Sequence, residues 1–427
     1  MAINEGMLSP YRVLDLTNER GFICGKLLGD LGADVIKIEK PGGDPARSIG
    51  PFYHDIPDPE KSLYWWAFNI NKRGITLDIE TADGQAIFKK LLKDADVVLE
   101  SFDPDYMDKL GLGYSALAQI KPQVIMTSLS GFGKTGPYKD YKAPDIVVWA
   151  LAGEAYLTGD PDRGPLSPSF PISYIVAGAM QAAIGTMVAL FHRGITGEGQ
   201  QVDVSAQLSL VPFLGPEPPA LWEQDKTIIA RQGRFLRRYQ GASAAGKAAW
   251  VDAPMLYECQ DGDISFVAFA GPGVGESTAA LTRWMASEGM VGETLGAVDW
   301  MEFEWQTVTQ DVVDEITKDF NRFFKAHTKA ELFEGAQERG IMIYPVFTPK
   351  DMLEFSQLAA RNYWVKVEYP EGEAAVTHPG PFMAAVGAPR AANRRAPFIG
   401  EHNEEVYLGE LGLSRHDLSI LKQAKVI

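Results

Sequence analysis

The first two hundred residues alternate short apolar runs with stretches of helical spacing, and that alternation decides which folds are open to the chain. Arg12-Val13-Leu14-Asp15-Leu16 is followed by a helical stretch around Gly21 to Leu31 and then by Asp34-Val35-Ile36-Lys37-Ile38. The rhythm continues through Gly74-Ile75-Thr76-Leu77-Asp78, a helix near Thr81 to Lys93, Asp96-Val97-Val98-Leu99-Glu100, another helix, and Val124-Ile125-Met126-Thr127-Ser128. Strands separated by crossover helices read as βαβ units. The expected fold is α/β, with a doubly wound, Rossmann-like parallel sheet in a large domain over residues 1–215. Such sheets take ligands at the carboxyl ends of their strands, so the segments after Ile38, Glu100 and Ser128 are the places to look for a site.

After Ser205 the composition shifts to a proline-rich patch, Pro212 to Pro219, and then to a basic stretch from Lys226 to Arg238 containing Arg231, Arg234, Arg237 and Arg238. The shift suggests a boundary. A smaller α/β domain is expected over 216–334, with a strand at Asp263 to Ala268 and a helix at Lys318 to Lys325. Residues 335–427 form a C-terminal segment expected to return to the large domain.

The chain has 427 residues, 46% hydrophobic and 22% charged, with a net charge of -16. An acidic balance of this size argues against nucleic acid or an anionic membrane as partner, because a phosphate-binding surface needs a basic excess. A local basic pocket stays compatible with it. Cys24 and Cys259 stand far apart without metal-ligand spacing, which points to a reduced compartment and no structural zinc, and leaves a disulfide between them open. Met1 to Pro10 shows no signal-peptide pattern, so a cytoplasmic location is expected. Ile175 to Phe191 is almost wholly apolar, yet at 17 residues it falls short of the roughly 20 needed to span a bilayer. With Gln181, Thr186 and many small residues, it reads as a buried core helix.

Motifs along nearly the whole chain make the sequence resemble one family. Val13-Leu14-Asp15-Leu16-Thr17 with Leu28 to Arg47, and Phe68-Asn69-Ile70-Asn71-Lys72-Arg73-Gly74-Ile75-Thr76-Leu77-Asp78, are similar to the opening signatures of the class III CoA-transferases, the CaiB/BaiF type. Ser130-Gly131-Phe132-Gly133-Lys134-Thr135-Gly136-Pro137-Tyr138 and the run Arg193 to Ser205 extend the likeness, and Gly400-Glu401-His402 carries it to the C-terminus. The resemblance implies CoA and acyl-CoA as substrates, no permanently bound cofactor, and interlocked dimers. In the family an aspartate attacks the acyl-CoA thioester, forms a mixed anhydride, and then carries CoA as an aspartyl thioester.

The helix Gly178 to Arg193 aligns without a gap and places Tyr174 at the position of that aspartate. A phenol has one oxygen and an ordinary pKa near ~10, so it cannot form an anhydride. No residue of this chain is expected to be the catalytic nucleophile, and Tyr174 reads as a buried aromatic with a satisfied hydroxyl. The nearest acids in sequence, Asp160 and Asp162, lie on a loop more than ten residues earlier.

CoA presents phosphates, which need cations and backbone donors. Lys40, Lys72 and Arg73 are read at the rim of the sheet, where they serve equally as solvated surface cations; the resemblance makes Lys72 and Arg73 expected CoA contacts and leaves Lys40, where the family has arginine, with only a point charge. Lys134 and Lys139, on and after the glycine-rich loop, are further expected phosphate contacts, the alternative being a tight turn without a ligand. Ser101 and Phe102 belong to Leu99-Glu100-Ser101-Phe102-Asp103-Pro104-Asp105, where the family reads like Val-Glu-Asn-Phe-Arg-Pro-Gly. Asp103 replaces an arginine with the opposite charge, and Asp105 adds another. The residues after the first strand, Gly21-Phe22-Ile23-Cys24, also depart from the family's Ala-Gly-Pro. Trp65, Trp66, Trp149 and Tyr64 could line an acyl pocket or the core. The six histidines show no ligand spacing, and no metal is implied.

These departures together imply a subunit without the nucleophile, paired as heterodimer or heterotetramer with a homologous chain that carries the aspartate. The two-gene succinyl-CoA:benzylsuccinate type of anaerobic aromatic degradation is the arrangement it resembles. The alternatives are a homodimeric CoA-transferase or acyl-CoA racemase using another group, and a non-enzymatic acyl-CoA-binding protein.

Overall fold

A computed structural model describes residues 6–427 except 216, 227, 230, 243–247, 370–374, 384 and 388–392. Pro216 of the proline-rich patch lies outside the described residues. The chain forms two compact units, one of Met1–Ala155, Ser167–Ala220 and Ser356–Ile427, the other of Tyr156–Leu166 and Leu221–Phe355.

The first unit is built on six parallel strands, β1 (Arg12–Asp15), β2 (Asp34–Glu39), β3 (Lys72–Thr76), β4 (Val97–Glu100), β5 (Ile125–Ser130) and β6 (Gln200–Ser205). Their order is β3-β2-β1-β4-β5-β6. The order reverses between β1 and β4, which makes the carboxyl ends of those two strands the topological switch point where doubly wound sheets open a crevice. Between the strands run α1 (Phe22–Asp30), α2 (Leu63–Asn69), α3 (Ala82–Leu92), α4 (Tyr106–Lys109), α5 (Tyr114–Ile120), α6 (Asp145–Leu151), α7 (Glu154–Leu157) and α8 (Ala179–Thr196), the last entered through a π-helical turn at Ser173–Gly178.

Strands buried on both faces need apolar residues at consecutive positions, and these have them. Val13, Val35, Val97, Leu99 and Ile125 pack under α1 and α8, whose Leu28, Ala182, Ala183 and Leu190 face them. Leu14, Ile36, Ile75, Val98 and Met126 pack on the other side against Phe88 and Leu91 of α3, Leu117 of α5, and Val406, Tyr407 and Leu418 near the C-terminus. Each such fully buried side chain contributes about 2 kcal/mol relative to exposure. Thr81 caps α3 by accepting from the Gly84 N–H, with Asp83 in the first turn and Lys89 and Lys90 in the last, matching the helix dipole. Helix α8 approaches the sheet closely because Gly185 has no side chain; a Cβ there would lie 2.8 Å from Val202 Cγ1. Together Ser173–Thr196 form 24 helical residues with part of their surface buried.

β3 begins two residues earlier than its sequence pattern suggested. Asn71, at φ 63°, turns the chain straight out of α2, so Lys72 and Arg73 open the strand instead of preceding it. That places both at its amino end, away from the carboxyl rim.

Helix α9 (Ala206–Leu210) follows β6, and α10 (Glu217–Asp225) comes next. The second unit pairs β7 (Phe235–Ala242) with β8 (Ala248–Pro254) and folds β9 (Leu256–Cys259), β10 (Gly262–Phe266) and β11 (Ile343–Pro345) into an antiparallel sheet. Helices α11 (Gly275–Ser287), α12 (Glu293–Gly296), α13 (Gln310–Lys325) and α14 (Lys329–Arg339) accompany it. Its core centres on Tyr257, Phe266, Phe320, Phe323 and Phe324. Because β11 pairs with β10, residues up to 355, through α15 (Pro349–Glu354), stay with this unit, and the return to the first unit comes at Ser356 instead of 335. There α16 (Ser356–Ala360), the hairpin β12 (Trp364–Val367) and β13 (Val376–Pro379), and α17 (Arg415–Gln423) complete the first unit.

Candidate active site

At the switch point the loops after β1 and β4 are stitched together. The Asn18 N–H donates to Ser101 Oγ at 2.9 Å, and the Ser101 hydroxyl donates back to Asn18 Oδ1 at 2.8 Å. Ser101 is buried, so this residue, where the family pattern has asparagine, acts as a short staple across the crevice. Phe102 follows, its N–H donating to Glu100 Oε2 at 2.8 Å and its ring 4.6 Å from that of Tyr106. Burial pushes the Glu100 carboxyl up, only partly offset by its hydrogen bonds.

Tyr174 lies at the start of the helical turn leading into α8, only 3% exposed. Its hydroxyl donates to the Ala143 carbonyl oxygen at 2.6 Å. Burial raises the phenol to about 12, the nearby Arg20 opposing and Asp145, Asp103 and Glu19 adding to the rise. A neutral phenol whose proton is committed to a carbonyl is neither base nor nucleophile. Gly131 closes the packing: a Cβ there would stand 2.2 Å from the Ala143 Cβ and 2.7 Å from the Tyr174 hydroxyl. A carboxylate does touch this segment. Asp145 accepts from the Ser173 and Tyr174 N–H groups at 2.9 and 3.2 Å and from the Ser173 hydroxyl at 3.1 Å. Its oxygens cap the turn, a structural task that holds it in place. Asp160 accepts the Arg234 N–H within the second unit.

The expected cations fall into three groups. Lys72 is fully buried, and its ammonium gives its three protons to Asp15 Oδ2 at 2.9 Å, Phe22 O at 3.0 Å and Asn69 Oδ1 at 2.8 Å. Burial pushes Asp15 up, but Lys72, Lys37 and the Thr17 hydroxyl outweigh it and hold the carboxyl below its usual range. Arg73 is likewise held by acids: it forks onto Asp34 at 2.9 and 2.7 Å and reaches Glu405 at 2.9 Å and Glu410 at 2.5 Å. The rim placement expected for these two is therefore corrected; they lie at the amino end of β3, Lys72 with all three of its donors used and Arg73 with four of its five. Lys40 does follow the carboxyl end of β2, 56% exposed, and pairs with Glu80 at 2.9 Å.

Lys134 and Lys139 are at the carboxyl edge, and each meets an acid from the segment after β4. Lys139 Nζ lies 2.6 Å from Asp105 Oδ2, and Lys134 Nζ 3.3 Å from Asp108 Oδ2. The Asp105 pair lowers that carboxyl and raises that ammonium. Asp105 has φ 66°, a left-handed conformation that the glycine of the family pattern takes freely and an L side chain does not.

Among the aromatics, Trp65 and Trp66 are core residues, with Trp65 donating to Pro397 O and Trp66 stacked on Tyr369. Trp149 is buried in the core under α8. Tyr64 is half-buried beside Phe68, which lies 6.1 Å from Phe170. Among the described residues no cluster of histidine, cysteine and acid groups could hold a metal. Sequence reasoning passed over Asn18, Arg20, Ala143 and Asp145. The loop after β1 was the signal for the first two, since it ends a strand at the switch point.

Residues 8–403, nearly the whole chain including this crevice, match the profile of CoA-transferase family III. The chain belongs to that family. Its relatives in family III include the succinyl-CoA:(R)-benzylsuccinate CoA-transferase subunit BbsE of Thauera aromatica, 33% identical with 93% of both chains covered. The succinyl-CoA–L-malate CoA-transferase beta subunit of Chloroflexus aurantiacus is 28% identical, with 98% of both covered. Among solved structures, a CaiB/BaiF family protein from Brucella suis superposes with a TM-score of 0.77 at 25% identity, covering 95% of this chain and 99% of that one. Family III enzymes act on CoA thioesters.

Proposed function

We propose that this chain is the subunit without the nucleophile in a heteromeric family III CoA-transferase that moves CoA from an acyl-CoA, succinyl-CoA being the leading donor, to a carboxylic acid. Tyr174 carries the reading: at the position where the resemblance puts the attacking aspartate stands a buried phenol raised to about 12, bonded to Ala143 O. A homologous partner supplies the aspartate. Two relatives bear names of subunits, which supports a two-chain enzyme, and the first makes benzylsuccinate, an aromatic dicarboxylic acid, the leading acceptor. CoA is substrate and no resident cofactor takes part.

Helix α8 supports a partner as well. Met180, Ile184, Val188, Phe191 and Ile195 form a stripe along it, each at least 40% exposed and Phe191 73%. Their spacing of three and four residues lays them on one helical face, the kind of apolar surface that soluble chains cover with a partner. The partner subunit covers this stripe, and the complex works in the cytoplasm.

The test is CoA transfer from succinyl-CoA to benzylsuccinate by the chain alone, by an aspartate-bearing homologue alone, and by the two co-expressed. Turnover that needs both chains supports the proposal. Turnover by this chain alone supports the homodimeric alternative, and saturable acyl-CoA binding without turnover in any mixture supports the binding-protein alternative.

A further inference from the structure

Arg20 differs from the other well-placed arginines of the first unit. Arg12, Arg47, Arg73, Arg193 and Arg395 each hold at least one carboxylate. Arg20, half-buried at the switch point, has its guanidinium 5.0 Å over the Tyr174 ring and no carboxylate partner among the described residues; only its backbone N–H is engaged, by Asn18 Oδ1. A guanidinium keeps its charge at every accessible pH and carries five donors in a planar fork. The Tyr174 phenol cannot neutralise it, because its proton is committed to Ala143 O.

We infer that Arg20 binds the free carboxylate of a small organic acid in the crevice between the ends of β1 and β4, with the Tyr174 ring supporting the guanidinium from below. The inference rests on the proposed role in CoA transfer and names where the acid substrate or product docks in this subunit. Acids that share the surroundings of the Tyr174 phenol with Arg20 set the selectivity. Asp145 is used up on Ser173 and Tyr174, whereas Glu19 and Asp103 have no ion pair among the described residues. Those acids disfavour an anion whose charges sit on one centre, such as a phosphate dianion, more than a dicarboxylate whose second charge lies several carbons away, and the near carboxylate still makes the paired N–H···O contacts that reward close approach.

The experiment is calorimetric titration of the full chain with succinate and, separately, with inorganic phosphate, in wild type, Arg20→Gln, Arg20→Lys and the exposed-site control Arg283→Gln. Succinate is expected to bind saturably to wild type and to Arg283→Gln, about tenfold more weakly to Arg20→Lys, which keeps the charge but loses the fork, and beyond detection to Arg20→Gln. Phosphate is expected not to compete. Succinate binding of equal strength in either Arg20 variant, no succinate binding to wild type, or displacement of succinate by equimolar phosphate overturns the inference. Circular dichroism melting of each variant separates loss of the site from loss of the fold. The binding result is independent of whether the chain needs a partner for turnover, so the inference can fail while the subunit role stands.

Discussion

The Tyr174 hydroxyl donates to the Ala143 carbonyl oxygen across 2.6 Å in a site where Gly131 leaves no room for a methyl group. The phenol is therefore a packed structural element, held by the same close approach that excludes a side chain at 131. Tyr174→Phe leaves the buried Ala143 oxygen without this donor and is expected to cost about 1–2 kcal/mol, measured by urea unfolding. No loss would mean that the bond is not formed in solution.

Lys72 and Asp15 form a buried pair in which the ammonium uses all three of its donors. Removing one partner strands the other, so Lys72→Met is expected to destabilise the chain by about 3–5 kcal/mol, and Asp15→Asn combined with Lys72→Met to recover part of that loss. The double-mutant cycle reads the coupling directly. If Lys72 were instead a phosphate ligand, the single variant would be nearly as stable as wild type.

The alternating apolar runs were enough to read the α/β class and five of the six sheet strands, because strands buried on both faces must be apolar at successive positions. β6 was read only as a motif: its Gln200, Gln201 and Asp203 break the apolar run. Lys72 and Arg73 show what local pattern cannot supply. Both look like rim cations in the sequence, and only the register that sets Lys72 beside Val35 and Arg73 beside Ile36 reveals that Asp15 and Asp34 take them. Arg20 was missed for the converse reason: nothing near it in sequence says that its partner is absent.

Asp105 takes a left-handed conformation and neutralises Lys139. Asp105→Gly relieves the backbone and frees the lysine. Because the ion pair is exposed, its loss is expected to cost little stability, while CoA binding tightens in a salt-dependent way. Equilibrium dialysis with CoA at low and high salt checks it, and unchanged affinity at low salt would show that the acid does not guard the lysine.

Glu100 is buried with its carboxyl pushed up by desolvation. A raised carboxyl holds its proton in the folded state at a pH where the unfolded chain has lost it, so stability falls as pH rises from the unfolded value through the folded one. Glu100→Gln keeps an acceptor for the Phe102 N–H and removes the titration. Its melting temperature is expected to gain on wild type between about pH 4 and pH 8, with the advantage largest at the alkaline end. A gap that stays constant or narrows with rising pH would contradict the assignment.

In the proposed heteromer the covalent intermediate forms on another chain. Rapid quenching of the co-expressed pair with hydroxylamine during succinyl-CoA turnover, followed by peptide mass spectrometry, locates the trapped carboxylate. The hydroxamate is expected on an aspartate of the homologous partner, with every acidic peptide of this chain unmodified. A hydroxamate on any aspartate or glutamate of this chain, Asp145 included, would contradict it.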